Sequence, residues 1–359
     1  MGSTSVVFSS LHPLKGWSLR ETRGGSVQST IPLYMTALIS IKPGKNREAA
    51  NILRGVMMEE MLHLSLAGNL LSAIGGKTCF TAENIPSFPL TLKFEGKRFK
   101  DREFEASLAP FSPESIDVFT EIELPEGWRE RPMLEAGQEI EVPGYTIGGF
   151  YDEIARKLSR LCATYGEPAV FSGDPEHQLG LNYYWGGGGS PIIVKDLESA
   201  LKAIQVIVTQ GEGIRHEVYD DDHDYFDQPE QVAHFFRFRE IQFGRHYQSG
   251  DNPRKPPTGS AFEVDYGEVY PIKANPTSAD YATDPAMATL NDEFNRLYSL
   301  MLYQIAEALN GASDAMYTAI LNSMHDMTAT AREMVTKPIA NDPQGRNGAP
   351  SFEWVEPAV

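Results

Sequence analysis

The 359-residue chain is 41% hydrophobic and 22% charged, long enough to bury a sizeable core as one large domain or two ordinary ones. Its 49 acidic residues against 31 basic ones give a net charge of -18, which repels nucleic-acid phosphates and anionic membrane surfaces, so neither is an expected partner. Two cysteines, Cys79 and Cys162, are too few for a disulfide framework, no apolar run nears the roughly 20 residues that span a bilayer, and residues 1–10 lack the basic start of a secretory signal; a cytoplasmic protein is expected.

Residues 1–25, with Pro13, Gly16, Gly24 and Gly25, read as an arm that packs on the domain without forming its core. A first helix is expected over about 30–41, with Pro32 tolerated in its first turn and Leu33, Ala37, Leu38 and Ile41 on its apolar face, until Pro43-Gly44 ends it. The clearest helix runs over about 46–74 and stops at Gly75-Gly76. Its residues Ile52, Val56, Glu60, His63, Ala67, Leu70 and Ile74 step by three or four and share one face, which sets Glu60 and His63 in line with the core. From 79 to 145 the pattern breaks into Pro-rich, alternating pieces such as 90–94 and 119–124, an irregular insertion with short strands that should lie outside the core.

Helices resume at about 147–165 and 194–212, the second turning Leu197, Leu201, Ile204 and Val208 inward, and the aromatic glycine loop around Tyr183, Tyr184 and Trp185 lies between them. Further helices are expected at about 229–247, 286–310 and 313–336, where Met316, Met324 and Met327 read as core filling. A Pro/Gly/Asn-rich tail covers 341–359. Strand and helix do not alternate, so the fold class is mainly α: a single helical-bundle domain over 1–340 with an irregular insertion and additional C-terminal helices.

A Glu-x-x-His pair on the interior face of a bundle helix is how such bundles hold iron or manganese, because positions i and i+3 project a carboxylate and an imidazole together. Glu60 and His63 have that spacing. Glu212 continues the stripe of the 194–212 helix, with His216 a turn further on, and reads either as a ligand or acid/base group or as part of a loosened helix end. In the segment Ala233-His234-Phe-Phe-Arg237-Phe-Arg239-Glu240, His234 reads as a site residue or a core histidine, Arg237 and Arg239 as cations for an anionic substrate or carboxylate, and Glu240 as an ion-pair partner. The acidic run 220–222 with Asp224 reads as a solvated loop. Serine-hydrolase and phosphate-loop motifs are absent from the sequence.

The runs Thr30-Ile-Pro-Leu-Tyr-Met-Thr36, Glu59-Glu-Met-Leu-His63, Asn69-Leu-Leu-Ser-Ala-Ile-Gly-Gly76, Ile147-Gly-Gly-Phe-Tyr151, Gln210-Gly-Glu-Gly213 and His234-Phe-Phe-Arg-Phe-Arg-Glu-Ile241 resemble, in order, the ferritin-like domain of the iminophenyl-pyruvate dimer synthase family. The resemblance implies an oxidative, metal-dependent enzyme of specialised metabolism, and places metal ligands at Glu60, His63 and Glu212, with His234 as a fourth. Carboxylates that the family pattern sets at three further positions are replaced by Val27, Gly149 and Thr209, with Glu153 and Gln28 as the nearest substitutes, so at most one iron or manganese ion per chain, or none, is expected. The leading expectation is an oxidase-type enzyme acting on an aromatic or apolar small molecule, with catalytic residues Glu60, His63, Glu212 and His234 and substrate contacts from Tyr183, Tyr184, Trp185, Arg237 and Arg239. A metal-free cyclase, dimerising enzyme or isomerase, and a non-catalytic binding protein, stay open as alternatives, as does homo-oligomerisation.

Overall fold

The computed structural model describes residues 27–94, 102–125, 147–185, 187–213, 217–220 and 231–357; the expected arm at 1–25, His216 and the acidic residues 221–224 lie outside them. Helix α1 (Val27–Ser40) packs along α2 (Arg47–Ala73), which follows it after a short connection. Helix α1 starts earlier than expected, so Pro32 lies beyond the first turn; its carbonyl accepts from the Thr36 hydroxyl at 2.7 Å. Asn46 adopts a left-handed conformation ahead of α2 and is held there because its side-chain amide exchanges hydrogen bonds with the backbone of Asp265 at 2.9 and 2.7 Å. At the other end Gly75, with φ +79°, closes α2 with hydrogen bonds back to its last turn.

The strands β1 (Leu90–Phe94) and β2 (Arg102–Ala106) form an antiparallel hairpin. The rest of the expected insertion departs from the reading as an element outside the core. Residues Pro113–Ile122 form helix α3, started by Ser112, whose hydroxyl accepts from Ser115 N–H, with Pro113 in the first turn. Ile116, Phe119 and Ile122 recur every third residue and bury one face of α3 in the main core. The alternation over 119–124 that resembled a strand is the last turn of this helix and its end.

Helix α4 (Ile147–Tyr165), the short α5 (Glu167–Val170) and α6 (Leu197–Glu212) follow, with α6 packed on both α2 and α4. The register of α6 differs from expectation: Ala200, Ala203, Ile204, Ile207 and Gln210 are buried, whereas Leu201 is 36% exposed, because the alanines let the helix lie close to its neighbours. Helix α7 (His234–Phe243) lies against α3. Helix α8 (Pro285–Leu309) is followed by α9 (Ala315–Thr318), a π-helical stretch (Ala319–Met324) and α10 (His325–Val335), within which Met316 and Met327 are buried. The expected tail at 341–359 folds back: Ala349, Ser351 and Phe352 are buried, and the Phe352 ring meets Phe294 of α8 edge-on at 4.8 Å.

Helix α2 joins two hydrophobic cores. Its first half, through Leu53 and Val56, packs in a core shared with α1, α3, α7 and α8, while Leu62, Leu66 and Leu70 pack with α4 and α6. Residues 57–61 cross between them. A third, smaller cluster around Phe235, Phe236 and Tyr247 abuts α7. The polar residues of α2 therefore lie where the apolar packing changes partners.

Candidate metal centre

Glu59, Glu60 and His63 occupy the crossing point of α2 and are 2%, 3% and 2% exposed, a degree of burial at which unpaired polar atoms are expensive. Their partners come from three other helices, α1, α6 and α7. The Thr30 hydroxyl of α1 donates to Glu60 Oε2 at 2.6 Å, and Glu60 Oε1 lies 3.0 Å from His63 Nδ1. The other ring nitrogen of His63, Nε2, lies 2.9 Å from Gln210 Oε1 of α6. The Gln210 Nε2 donates to the Gly188 carbonyl, which fixes the amide orientation, turns its oxygen to His63 and requires the proton to sit on His63 Nε2. Nδ1 is then the ring nitrogen that faces Glu60.

His234, fully buried in the first turn of α7, repeats the pattern. Its Nε2 bonds Glu59 Oε2 at 2.9 Å, and its Nδ1 faces Glu60 Oε1 at 3.4 Å and Glu123 Oε2 at 3.8 Å, neither in hydrogen-bond geometry. Glu59 is held from its other side by Arg237 Nη1 at 2.9 Å. Glu123, just past α3 and 1% exposed, accepts from the Tyr34 hydroxyl of α1 at 2.6 Å through its second oxygen. The two imidazole rings stand 5.4 Å apart, centroid to centroid.

Burial disfavours the ionised forms of these groups, and their neighbours reverse the balance. For Glu59, burial is outweighed by Arg237 and His234, which hold its carboxyl below the usual range; for Glu60, the His234 and His63 contacts do the same. Burial also works against a charged His234, yet the Glu123, Glu59 and Glu60 carboxylates raise it well above the ordinary histidine value. Burial first, then Glu123, keeps the Tyr34 phenol protonated and thus a donor. In the absence of another cation, His234 fills the role of one.

One donor atom each from Glu60, His63 and His234 fall within 4.8 Å of one another, the metal-sized grouping found among the described residues. Two donors bound at about 2.1 Å to one ion lie roughly 3.0 Å apart at a right angle and roughly 3.4 Å apart at a tetrahedral angle. The observed separations of Glu60 Oε1 are 3.0 Å to His63 Nδ1 and 3.4 Å to His234 Nδ1. Both rings face this point with Nδ1 while their Nε2 atoms are anchored by Gln210 and Glu59, the outer-partner arrangement typical of metal-bound histidines. The residues fit a single divalent ion.

The other residues expected at the site are distributed around it. Glu212 is buried, but its carboxylate accepts from Gly148 N–H at 2.6 Å in the first turn of α4, where the helix dipole favours an anion. A side chain at 148 would meet that carboxylate at 2.6 Å. Gly149 lies in the same turn, Thr209 bonds the Gln205 carbonyl within α6, and Glu153 pairs with Arg156 and Lys157, so Glu153 does not substitute for the carboxylates that the family pattern sets at 149 or 209. Tyr184 reaches the site's edge, its hydroxyl placed at 2.8 Å from the Met58 and Gly187 carbonyls. Trp185 instead stacks on Tyr317 at 5.2 Å, and Tyr183 meets the same ring at a tilt, 5.1 Å away. Arg237 belongs to the site; Arg239 points away, over the Phe235 and Phe243 rings and toward the Lys255 carbonyl. Asp220, expected in a solvated loop, is buried 4.0 Å from Arg237. Sequence reasoning passed over Glu59, Glu123, Gln210, Thr30 and Tyr34 as site residues.

Comparison with known proteins agrees with this architecture. The chain is 26% identical over 327 residues to dichlorochromopyrrolate synthase of Lentzea aerocolonigenes, an alignment that takes in 85% of this chain and 30% of that protein, so the chain spans about a third of its relative's length. A crystal structure of a ferritin-like protein from Caulobacter vibrioides superposes with a TM-score of 0.55 at 20% identity, covering 85% of this chain and 90% of the other. The family model described as ferritin-like matches residues 28–243, from α1 to the end of α7, and on that extent the chain belongs to the ferritin-like family.

Proposed function

We propose that the chain is a metal-dependent enzyme of specialised metabolism that acts on an aromatic or apolar small molecule, with one iron or manganese ion held by Glu60, His63 and His234. The observation that carries the reading is the pair of histidines whose Nε2 atoms are anchored on Gln210 and Glu59 while both Nδ1 atoms face Glu60. Similarity to a dichlorochromopyrrolate synthase supports an enzyme of that kind, and the resemblance to the iminophenyl-pyruvate dimer synthase family implies oxidative coupling of aromatic units as the reaction class. Such an ion, when bound, supplies one-electron redox chemistry and open coordination positions. The chain's own residues do the rest: Gln210 and Glu59 hold the ring tautomers, Arg237 keeps Glu59 ionised, and Tyr184 with Gly188 covers the outer side of α2.

A metal-free reading is favoured by one observation: Arg237 and a protonated His234 already balance Glu59 and Glu60, giving a hydrogen-bonded acid and base in one site. The two readings separate in one experiment. Protein purified from iron- and manganese-supplemented cells is analysed for metal content, with Glu60→Ala and His234→Ala beside it, and assayed with aromatic 2-imino acids by mass spectrometry for coupled products, with and without chelator. The metal reading expects up to one equivalent of ion, lost in both variants, and product formation that chelation stops. Product formation that survives chelation supports the metal-free reading, and no coupled product under any condition refutes the reaction class.

A further inference from the structure

Resting on the function just proposed, we infer that the Tyr151 hydroxyl is the hydrogen-bond donor that receives a substrate oxygen beside the metal centre, so that the substrate is an aromatic molecule carrying an oxygen acceptor, as a 2-imino or 2-oxo acid does. Tyr151 lies just past the first turn of α4 and is 7% exposed, in the apolar cluster that α2, α4 and α6 build from residues such as Leu62, Leu66, Leu158 and Ile207. Tyr34, Tyr247 and Tyr281, buried to a similar degree, each donate to a protein oxygen: the Glu123 carboxylate and the Lys255 and Ala349 carbonyls. The Tyr151 hydroxyl makes no such bond among the described residues. A buried hydroxyl without a partner is destabilising, and a phenylalanine would fill the same apolar space without that cost. The acceptor that completes Tyr151 therefore comes from outside the chain.

The helix turn that carries the ring is fixed. Gly148, three residues earlier on the same face of α4, donates its N–H to the Glu212 carboxylate at 2.6 Å, and the Phe150 ring meets Tyr151 edge-on at 5.3 Å. Leu62, in the cluster with Tyr151, directly precedes His63 on α2. Burial first, and then the charge of Glu60, push the phenol well above its ordinary value, which keeps it a donor and sets its hydroxyl within the field of the centre. Glu60 itself is occupied by Thr30 and His63 and faces His234, so it does not take the Tyr151 proton in a direct bond. A neutral donor in this position stabilises an oxygen acceptor and offers nothing to a hydrocarbon, and Tyr151 thereby selects an oxygen-bearing aromatic over a purely apolar one.

The test uses the full chain, metal-free and loaded with cobalt(II), titrated by calorimetry with phenylpyruvate and with propylbenzene, which keeps the ring and the three-carbon chain but has no oxygen. Wild type should bind both, phenylpyruvate more tightly. Tyr151→Phe should weaken phenylpyruvate binding roughly 10- to 100-fold, the range of one hydrogen bond to a charged acceptor, and leave propylbenzene and cobalt binding as in wild type. Its urea midpoint should stay at or above that of wild type, whereas Tyr184→Phe, which strips a hydroxyl bonded at the Met58 and Gly187 carbonyls, should unfold at lower urea. Equal phenylpyruvate affinity in wild type and Tyr151→Phe, or a midpoint that Tyr151→Phe lowers as Tyr184→Phe does, would overturn the inference and leave the metal centre intact. A wild type that binds neither probe refutes the proposed substrate class, and the role of Tyr151 with it, whatever its cobalt content.

Discussion

Replacing Arg237 by Met removes the cation from a buried pair while keeping the apolar stem in place. Glu59 is 2% and Arg237 7% exposed, and their contact is 2.9 Å. Deleting one member of such a pair costs roughly 3–5 kcal/mol, because the remaining charge stays buried. His234 still bonds Glu59, which places the expected loss near the lower end, about 3 kcal/mol. The pH dependence identifies the cause. Glu59 is held below the ordinary carboxylate range in the folded protein, so its contribution is complete above the unfolded value of about 4.3 and fades as pH falls through the lower folded value. Without Arg237 that depression is relieved, so the deficit of the variant against wild type should be widest above about pH 6 and narrow toward pH 4. Urea unfolding of metal-free protein at several pH values measures it, and adding Glu59→Gln to the variant should recover most of the loss. An equal deficit at pH 7.5 and pH 4, with no recovery on adding Glu59→Gln, would show that packing rather than the stranded carboxylate is responsible.

Other outcomes follow from close contacts. Gly188→Ala forces a side chain into a residue at φ +69° with the new Cβ 2.2 Å from Glu59 Cγ, and should destabilise by about 1–3 kcal/mol in urea unfolding. Gly187→Ala, at φ +81° but with open space around it, should cost about 1 kcal/mol. Asn69→Leu strips a fully buried amide that donates to the Leu179 and Ile192 carbonyls and accepts from Leu179 N–H, leaving three backbone groups unpaired; a loss of about 3–5 kcal/mol is expected in the same assay. Gly68→Ala would set a Cβ 2.6 Å from both terminal methyls of Leu309, an overpacking worth about 1–3 kcal/mol in thermal or urea unfolding that Leu309→Val should partly relieve.

Most helices could be read from the sequence because α1, α2, α4, α6 and α8 each show apolar periodicity closed off by glycine, proline or a cap. Glu60 and His63 were legible for the same reason, since a carboxylate and an imidazole in register with core residues are costly without a partner. Glu59 was not, because it falls off the counted stripe; helix α2 is covered on several sides, and the face under α7 is recognisable only once α7 is in place. Glu123 was concealed by a local ambiguity: the Phe-Thr-Glu-Ile-Glu-Leu run over 119–124 alternates like a strand, and the Ser112-Pro113 start signal that argues for a helix stands seven residues earlier. Glu212, in register with the core like Glu60, is buried with its carboxylate on the Gly148 N–H in the first turn of α4. Side-chain reach across helices, which decided these cases, has no periodic signature in one sequence.

The hydrogen bonds at the site link residues 30, 89, 147 and 175 positions apart, for Thr30 with Glu60, Tyr34 with Glu123, His63 with Gln210, and Glu59 with His234. No contiguous fragment shorter than the stretch from α1 to α7 holds them all. During folding, helix α2 can form from local contacts while its adjacent carboxylates, Glu59 and Glu60, remain hydrated and mutually repelling. The long-range partners arrive only when α3, α6 and α7 dock, so ordering of the site comes late and reports completion of the whole domain. An ion captured there would bind the finished fold and not its precursors, because the residues around it come from α1, α2, α6, α7 and the end of α3.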